Sequence, residues 1–469
     1  MLSASLVPLF TKQAEERDDE ATSAVVTVSV IALTALTAVA VLGAPWIFRL
    51  FSINVAEGVD PQEYRAAGTA LTRIFLVQIF FYGLTALTTA LLQARRRFFA
   101  AAWAPVLSNV VIIGALLLVP SAVDGREPQL SEVLTNARLQ WTLGLGATIG
   151  IAVMALAMVP ALRAADVSVQ WRAEPKHPAV RRLLKLSGWT LGYVIANQVA
   201  VVVVQNLANP GSGDLDAYAK AYIFFVLPHG LLAMSIVTTF TPDLARSAQQ
   251  RDRQGFIDRS SLGIRLITLL TFPAAAAMFV LRRPLIGMVL QHGNFNEVRA
   301  LVTSRALGGF AVGLVGFSLY LFVLRAFHAH GDAKTPFTIN LFENVINIVL
   351  AVVLVEHYGV LGLGLAFAIA YLVSALWSLQ VLTYKVPGFP LAPTLLALGK
   401  MLVAALVMAE VTWLVGRAVG GNTGLAALAR VSAAGVAGVV AYVVVLAVLR
   451  VPELDQVRGR LARRNPSTT

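Results

Sequence analysis

Apolar runs long enough to cross a lipid bilayer recur along this chain, separated by short stretches of charged and turn-forming residues. They fall at roughly 24–48, 67–92, 100–122, 139–162, 184–208, 217–241, 261–281, 306–327, 337–356, 360–384, 394–416 and 426–449. Each comes close to or exceeds the ~20 residues that a helix needs to span the hydrocarbon. Twelve such segments leave almost no sequence to cover the surface of a soluble domain. The pattern predicts an all-α polytopic integral membrane protein with about twelve transmembrane helices.

The pattern repeats. Residues Val7 to Asp18 line up with Thr241 to Asp252: Pro8 with Pro242, Ala14 with Ala248, Arg17 with Arg251 and Asp18 with Asp252. The offset is 242 − 8 = 234. Further on, Arg73 pairs with Arg305, Pro105 with Pro336 and Asn109 with Asn340, at offsets of 232, 231 and 231. A nearly constant offset over a hundred residues indicates a duplicated unit, and two same-orientation halves in a membrane chain point to a transporter. The expected organisation is an incomplete N-terminal lobe of about four spans (1–165), a linker (166–183), a six-span lobe (184–385), two additional helices (394–449) and a basic tail (450–469). The second copy has two apolar segments ahead of Pro242, whereas seven residues precede Pro8, so by its own symmetry the chain is expected to lack about two helices. The first ten residues carry no charged leader or cleavage signal and are expected to be the end of a helix rather than a signal peptide.

Composition agrees with the membrane reading. Hydrophobic residues make up 57% of the chain and charged residues 13%, with a mean hydropathy of +0.74. The net charge is +12. Loops bearing Arg95, Arg96, Arg97, Arg172, Arg181, Arg246, Arg251, Lys334 and Lys385 belong to a set with about twice the Lys and Arg of the opposite set. The positive-inside rule therefore places both termini in the cytoplasm. This topology and anionic headgroups account for the charge without nucleic acid. With no cysteine, thiol chemistry is excluded.

Polar residues inside the spans are the candidate functional groups. Asn340, Asn344 and Asn347 fall at i, i+4 and i+7, on one helix face, with Glu343 beside them; Gln198, Gln205 and Asn209 share a face of the span at 184–208. Interhelical hydrogen bonding is the plain reading of both stripes. A carboxylate within a span, however, marks an ion or proton route by default. The cations nearest to helix interiors are Arg73, Lys220, Arg265 and Arg305, with snorkelling to the headgroups as their alternative. Arg95, Arg96 and Arg97 occupy a place in the first lobe equivalent to that of Asp332 and Lys334 in the second. They are either positive-inside anchors or a gate closed by opposite charges. His328 and His330 lack a third ligand and make a weak metal motif. The glycines Gly144, Gly146 and Gly150 lie inside a span, where close helix packing explains them better than nucleotide binding.

Several motifs, in order, carry a family likeness: Arg73; Leu91-Leu92-Gln93 with Arg97-Phe98; Ala102, Ala104-Pro105, Leu107 and Asn109; Gln291-His292-Gly293-Asn294-Phe295; Arg325-Ala326-Phe327-His328-Ala329; and Asp332 with Thr335-Pro336. Together they resemble the MurJ/MviN family of lipid II flippases, in the multidrug/oligosaccharidyl-lipid/polysaccharide exporter superfamily, over about residues 1–449. The resemblance implies fourteen helices in the family, so that this chain would begin at the end of the second. It implies a polyprenyl diphosphate-linked sugar–peptide as substrate, membrane lipids and cell-wall synthesis or division proteins as partners, and no cofactor beyond a coupling ion. It places the chain in the bacterial cytoplasmic membrane; the cations nearest to helix interiors, Arg73, Lys220, Arg265 and Arg305, are then the candidate substrate contacts. The family's arginine cluster in the first two helices is absent. So is its Asp-Arg pair ahead of the proline matched by Pro228, where Lys220 is the nearby cation, and no proline follows Arg73.

Three readings compete. A lipid II flippase would need a wet cationic cavity, because a diphosphate in hydrocarbon is prohibitively costly, and arginine suits phosphate through its planar fork. A drug or metabolite exporter on the same scaffold usually manages with twelve helices, against which the two extra ones argue. An enzyme acting on a lipid-linked sugar would need an acidic metal motif or a large external loop, and the sequence has neither. An inactive truncated flippase is a further alternative.

Overall fold

The computed structural model describes residues 2–16, 18–123, 129–165, 167 and 169–453. All the regular structure among them is helical. Two compact units divide the chain, Met1–Gly192 and Tyr193–Thr469.

The first unit contains α1 (Leu2–Glu16), α2 (Asp19–Leu42), α3 (Ala44–Leu50), α4 (Pro61–Leu76), α5 (Gln78–Ala94), α6 (Phe99–Leu117), α7 (Val119–Ala122), α8 (Glu132–Thr135), α9 (Ala137–Leu156) and α10 (Val159–Ala164). Helix α11 (Pro178–Leu207) runs through the division. It starts inside the stretch expected to be linker, with Pro178 at its first position, where the missing N–H costs nothing. The second unit continues with α12 (Asp214–Pro228), α13 (Met234–Gln249), α14 (Arg253–Leu290), α15 (Glu297–Ala329), α16 (Lys334–Tyr358), α17 (Val360–Lys385), α18 (Leu391–Val419) and α19 (Gly424–Val448). Among the described residues eleven helical segments are long and apolar enough to cross a membrane. The remaining predicted span, 184–208, falls on α11, whose described apolar stretch is Leu191–Leu207.

The duplication is visible in the capping geometry of each unit. Asp18 accepts a hydrogen bond from the Ala21 amide at the start of α2, and Asp252 accepts one from the Gly255 amide at the start of α14. The Asp18 amide donates to the Gln13 carbonyl and the Asp252 amide to the Ser247 carbonyl, each at 2.9 Å. All three pairs are 234 apart (18 to 252, 21 to 255, 13 to 247). The shared Asp is thus an N-cap that satisfies an orphan amide of a long membrane helix.

Five predicted spans are interrupted, at Gly43, Val77, Leu118, Ala157–Met158 and the turn after Pro228, and two of these breaks have a visible cause. The run 67–92 breaks at Val77 between α4 and α5. There the Thr148 hydroxyl donates to the Ile74 carbonyl (3.1 Å) and accepts from the Gln78 side chain (3.2 Å), and a side chain inserted into the helical ladder is a known cause of a kink. The run 217–241 contains a π-helical turn, His229–Ala233, between α12 and α13. It follows Pro228, which has no amide to continue the ladder.

Helix α15 is the centre of the second unit, with 89% of its apolar span buried. It meets α17 through glycines. A Cβ added at Gly313 would stand 2.6 Å from the Ala368 Cα, and one at Gly309 2.8 Å from the Leu361 carbonyl and the Leu365 amide. At Gly316 it would meet the Leu372 Cα at 2.8 Å. These are backbone atoms and cannot swing aside, so the two helices touch along a seam at i, i+4 and i+7. Small residues permit this approach, which dispersion and packing stabilise inside a bilayer. Gly144 and Gly150 of α9 serve the same end in the first unit, facing Ile74 at 2.6 Å and the Ser108 carbonyl at 3.0 Å.

The seam predicts that Gly313→Val costs about 1–3 kcal/mol or more through overpacking. A lowered melting temperature of the purified protein in detergent, with Gly114→Ala (nothing within 4 Å) unchanged, is the expected result.

Candidate functional site

Helix α16 carries the densest group of buried polar side chains. Asn340 (0% exposed), Glu343 (1%), Asn344 (4%) and Asn347 (7%) all lie inside the second unit. The Asn344 amide donates to the Asn340 carbonyl at 2.8 Å, a local bond along the helix. Asn197 of α11 donates from Nδ2 to Asn340 Oδ1 at 3.1 Å, tying the two helices together.

Tyrosines surround this group. Tyr193 (α11), Tyr218 and Tyr222 (α12), Tyr320 (α15) and Tyr371 (α17) all lie within electrostatic reach of the Glu343 carboxylate. The Tyr320 and Tyr371 rings meet edge to face, their centroids 5.2 Å apart. Glu343 Oε2, Asn347 Oδ1 and the Ser374 hydroxyl on α17 have no hydrogen-bond partner among the described residues, while the Tyr320 hydroxyl reaches Tyr193 and Asn340. Orphaned buried groups are costly and rare. Three of them on the neighbouring helices α16 and α17 make this a polar site within the second unit.

The repeat makes the site asymmetric. At the offset of 231 that relates Asn109 to Asn340, Glu343, Asn344 and Asn347 correspond to Ile112, Ile113 and Leu116. Asn109 itself is exposed. The polar site belongs to the second unit alone.

The other candidates are placed as follows. Gln198 is exposed, Gln205 half-buried and Asn209 exposed beyond the end of α11. The face that α11 turns to the asparagines carries Tyr193 and Asn197 instead, so the glutamine stripe is not the polar face used here. Arg265 forms an ion pair with Glu453 at 3.1 Å, and Glu453 is fully buried. Lys220 bonds to Asp216 one turn earlier, with its Nζ 5.2 Å from the Phe295 ring centroid. Arg73 and Arg305 are exposed and bond to no described residue.

The expected gate residues are bonded within their own units. Arg95 lies 3.9 Å from Asp19 and donates to the Ala165 carbonyl at 3.2 Å; Arg96 and Arg97 are exposed. Asp332 pairs with Lys385, not with Lys334, which is exposed. It also accepts from the Thr335 amide at 3.0 Å, while Lys385 donates to the Thr335 hydroxyl at 2.6 Å. Asp332 thus fastens the start of α16 to the end of α17. Burial pushes its carboxyl up, but the bonds from Lys385 and Thr335 and the Lys385 charge outweigh this and hold it at about 2. His328 and His330 each turn Nδ1 to a carbonyl of their own helix, and the described residues contain no group of three side chains suited to a metal.

Sequence reasoning passed over Tyr193, Tyr320 and Tyr371, which read as ordinary apolar residues of their spans, and Asn197, one position from a chosen glutamine. Glu453 lies past the last span. A carboxylate just beyond a helix that packs on α14 was its only signal.

Two repeated sets of membrane helices, with an unsatisfied polar group buried in one, define a polytopic membrane transporter. The family model described as lipid II flippase MurJ matches residues 1–432, and the chain belongs to that family. A lipid II flippase MurJ from Burkholderia cenocepacia is 28% identical over 384 residues, covering 80% of this chain and 71% of the relative. The solved structure of a lipid II flippase MurJ in an inward closed conformation superposes with a TM-score of 0.73 at 21% identity, over 95% of this chain and 87% of that one. An inward-facing multidrug resistance MATE family transporter of the MOP superfamily reaches 0.68 at 15% identity, over 83% and 86%.

Two outcomes follow. Arg265→Met should strand Glu453 and destabilise the protein by about 3 kcal/mol, the low end for breaking a buried pair. Arg265→Met with Glu453→Leu should recover most of the loss, read as melting temperature. Asp332→Asn should lower stability at neutral pH. A carboxylate held low contributes above its unfolded value near 4, so the gap between variant and wild type should close as pH falls from about 4 towards 2.

Proposed function

We propose that this chain translocates lipid II from the inner to the outer leaflet of a bacterial cytoplasmic membrane by alternating access, with both termini in the cytoplasm. It moves a lipid-linked substrate and carries out no bond-making chemistry. The observation that carries this reading is the family match from residue 1 to 432. It spans both units and continues through α18 into α19. The MATE likeness, at 15% identity, concerns the fold.

The cations divide by what already holds them. Glu453 holds Arg265 and Asp216 holds Lys220, which leaves Arg73 and Arg305, repeat partners in sequence, with their donors unspent. A guanidinium presents a planar fork that matches a phosphate bidentately. We propose Arg73 in the first unit and Arg305 in the second, each taken by itself, as contacts for a substrate phosphate.

The test is lipid II exposure in cells depleted of their own flippase. Expression of the chain should increase the lipid II cleaved by an enzyme added outside and restore growth. Arg73→Ala and Arg305→Ala should each reduce that exposure by about tenfold, the equivalent of ~1.4 kcal/mol, with membrane insertion unchanged. Good insertion with lipid II still confined inside, and export of a cationic dye in its place, would put the exporter reading ahead.

A further inference from the structure

We propose that Arg283 and Arg430 form a binding site for the phosphate of a membrane lipid, at the outer end of the two additional helices α18 and α19. Its placement in the outer leaflet rests on the topology proposed above. The site itself does not depend on what the chain transports.

The first argument is the distribution of charge. With both termini in the cytoplasm, the α14–α15 and α18–α19 connections face outwards, where the positive-inside rule leaves few cations. Four arginines nevertheless stand at this end of three helices that pack on one another: Arg282 and Arg283 near the end of α14, Arg417 in the last turn of α18 and Arg430 in α19. The carboxylate that meets Arg283 is Glu297, 3.4 Å away and 80% exposed. An ion pair so open to water is worth little, and it does not hold Arg283 against a competing anion.

The second argument is the donors left unspent. Arg430 Nη1 donates to the Asn422 Oδ1 at 2.8 Å and to the Gly421 carbonyl at 3.3 Å, in the α18–α19 turn. A Cβ added at Gly287 would stand 1.8 Å from the Asn422 carbonyl oxygen and 2.9 Å from Arg283 Nη1, so Arg283 approaches the same residue from α14. Arg283 Nη1 and Arg430 Nε are both buried without a hydrogen-bond partner among the described residues. Buried charged donors are the costliest to leave unmade. A clamp on the turn accounts for Arg430 Nη1. It accounts neither for the two unspent donors nor for Arg283, which makes no bond to the turn. A phosphate oxygen accepts several hydrogen bonds at once and suits the planar fork of a guanidinium.

The third argument distinguishes a lipid from a soluble anion. Arg283 stands seven residues before the end of α14 (290 − 283 = 7) and Arg430 six after the start of α19 (430 − 424 = 6), roughly 10 Å along each helix. Trp413 lies under the Arg417 guanidinium, 5.4 Å from it, and tryptophan is enriched at the level of the headgroups. Around the two arginines, α18 and α19 expose Leu414, Val419, Leu425 and Leu428. The chains of a lipid gain from such a surface, and a free phosphate does not.

The test is binding, read apart from transport. The purified full chain in a neutral detergent is mixed with phosphatidylglycerol, and the lipid it retains is counted by native mass spectrometry. Arg283→Gln and Arg430→Gln should each bind it about tenfold more weakly than wild type, the scale of one charge-assisted hydrogen bond. Arg138→Gln, which removes an exposed arginine of the first unit, should bind it as wild type does. Arg283 makes one exposed ion pair, so Arg283→Gln should keep the wild-type melting temperature without lipid and carries the test if Arg430→Gln does not fold. Competition separates the sources. Displacement by lipid II makes the diphosphate of the cargo an occupant, and resistance to it leaves the site to bulk anionic lipid; both outcomes support a lipid phosphate. Displacement by inorganic phosphate at equal concentration, wild-type binding by Arg283→Gln, or an equal loss in Arg138→Gln would overturn the proposal. A chain that binds phosphatidylglycerol through these arginines and flips no lipid II loses the flippase reading and keeps the site.

Discussion

The second unit depends on backbone contact between α15 and α17. Where Gly309, Gly313 and Gly316 lie against the main chain of α17, no side chain can intervene, and the register of the two helices is set to within a residue. That register puts Tyr320 against Tyr371, and it does so under a cluster of Phe225, Phe310, Phe317 and Phe367. The rings supply a rigid apolar wall, and the two phenols a polar edge. Only then can α16, fastened to α17 by Asp332 and Lys385, bury an acid and three amides without the bundle opening to satisfy them. In hydrocarbon there is no hydrophobic drive between helices beyond what they find in lipid, so a polar site of this kind needs a packing seam that does not yield.

The duplication shows which properties belong to the scaffold and which to one half. The N-capping aspartates are common to both copies and serve the same orphan amides. They belong to the architecture. The asparagine and proline near the start of α6 and α16 are also shared, yet one turn further the copies part: isoleucines and a leucine in the first, an acid and two amides in the second. Ile112 packs against the position of Gly150, so the first unit uses the same helical face for close packing. One ancestral face has thus become a hydrophobic seam in one copy and a polar interior in the other, without a change of fold.

Most of the architecture was legible because the bilayer imposes a length on each apolar run. The Asn340, Asn344 and Asn347 stripe was legible for a related reason: polar residues at helical spacing in an apolar segment cannot be accidental at that depth. What escaped the sequence is what depends on another helix. The break at Val77 comes from Thr148, seventy-one residues away in the chain (148 − 77 = 71), and nothing local foretells it. Asp332 takes Lys385 and not the nearer Lys334 because the end of α17 returns to the start of α16. The glutamines of α11 were favoured over Asn197 because three polar residues make a better pattern than one, although the single residue faces α16.

The distribution of charge follows the same rule of satisfaction. Three carboxylates near helix ends of the second unit take up a cation: Asp216 has Lys220, Asp332 has Lys385, and Glu453 has Arg265. These pairs fix helix ends, and a cation so engaged has little left to offer a ligand, since its donors are spent and its field is cancelled nearby. Glu343 stands outside this scheme, buried and given phenols in place of a cation. Arg73 and Arg305 stand outside it in the opposite sense, as exposed cations without a carboxylate. A transporter of a diphosphate-linked lipid must keep positive charge available to its cargo and must not let a neighbouring carboxylate neutralise it. Within the second unit Glu343 lies among phenols and amides and forms no ion pair, so it cancels the charge of no described cation there.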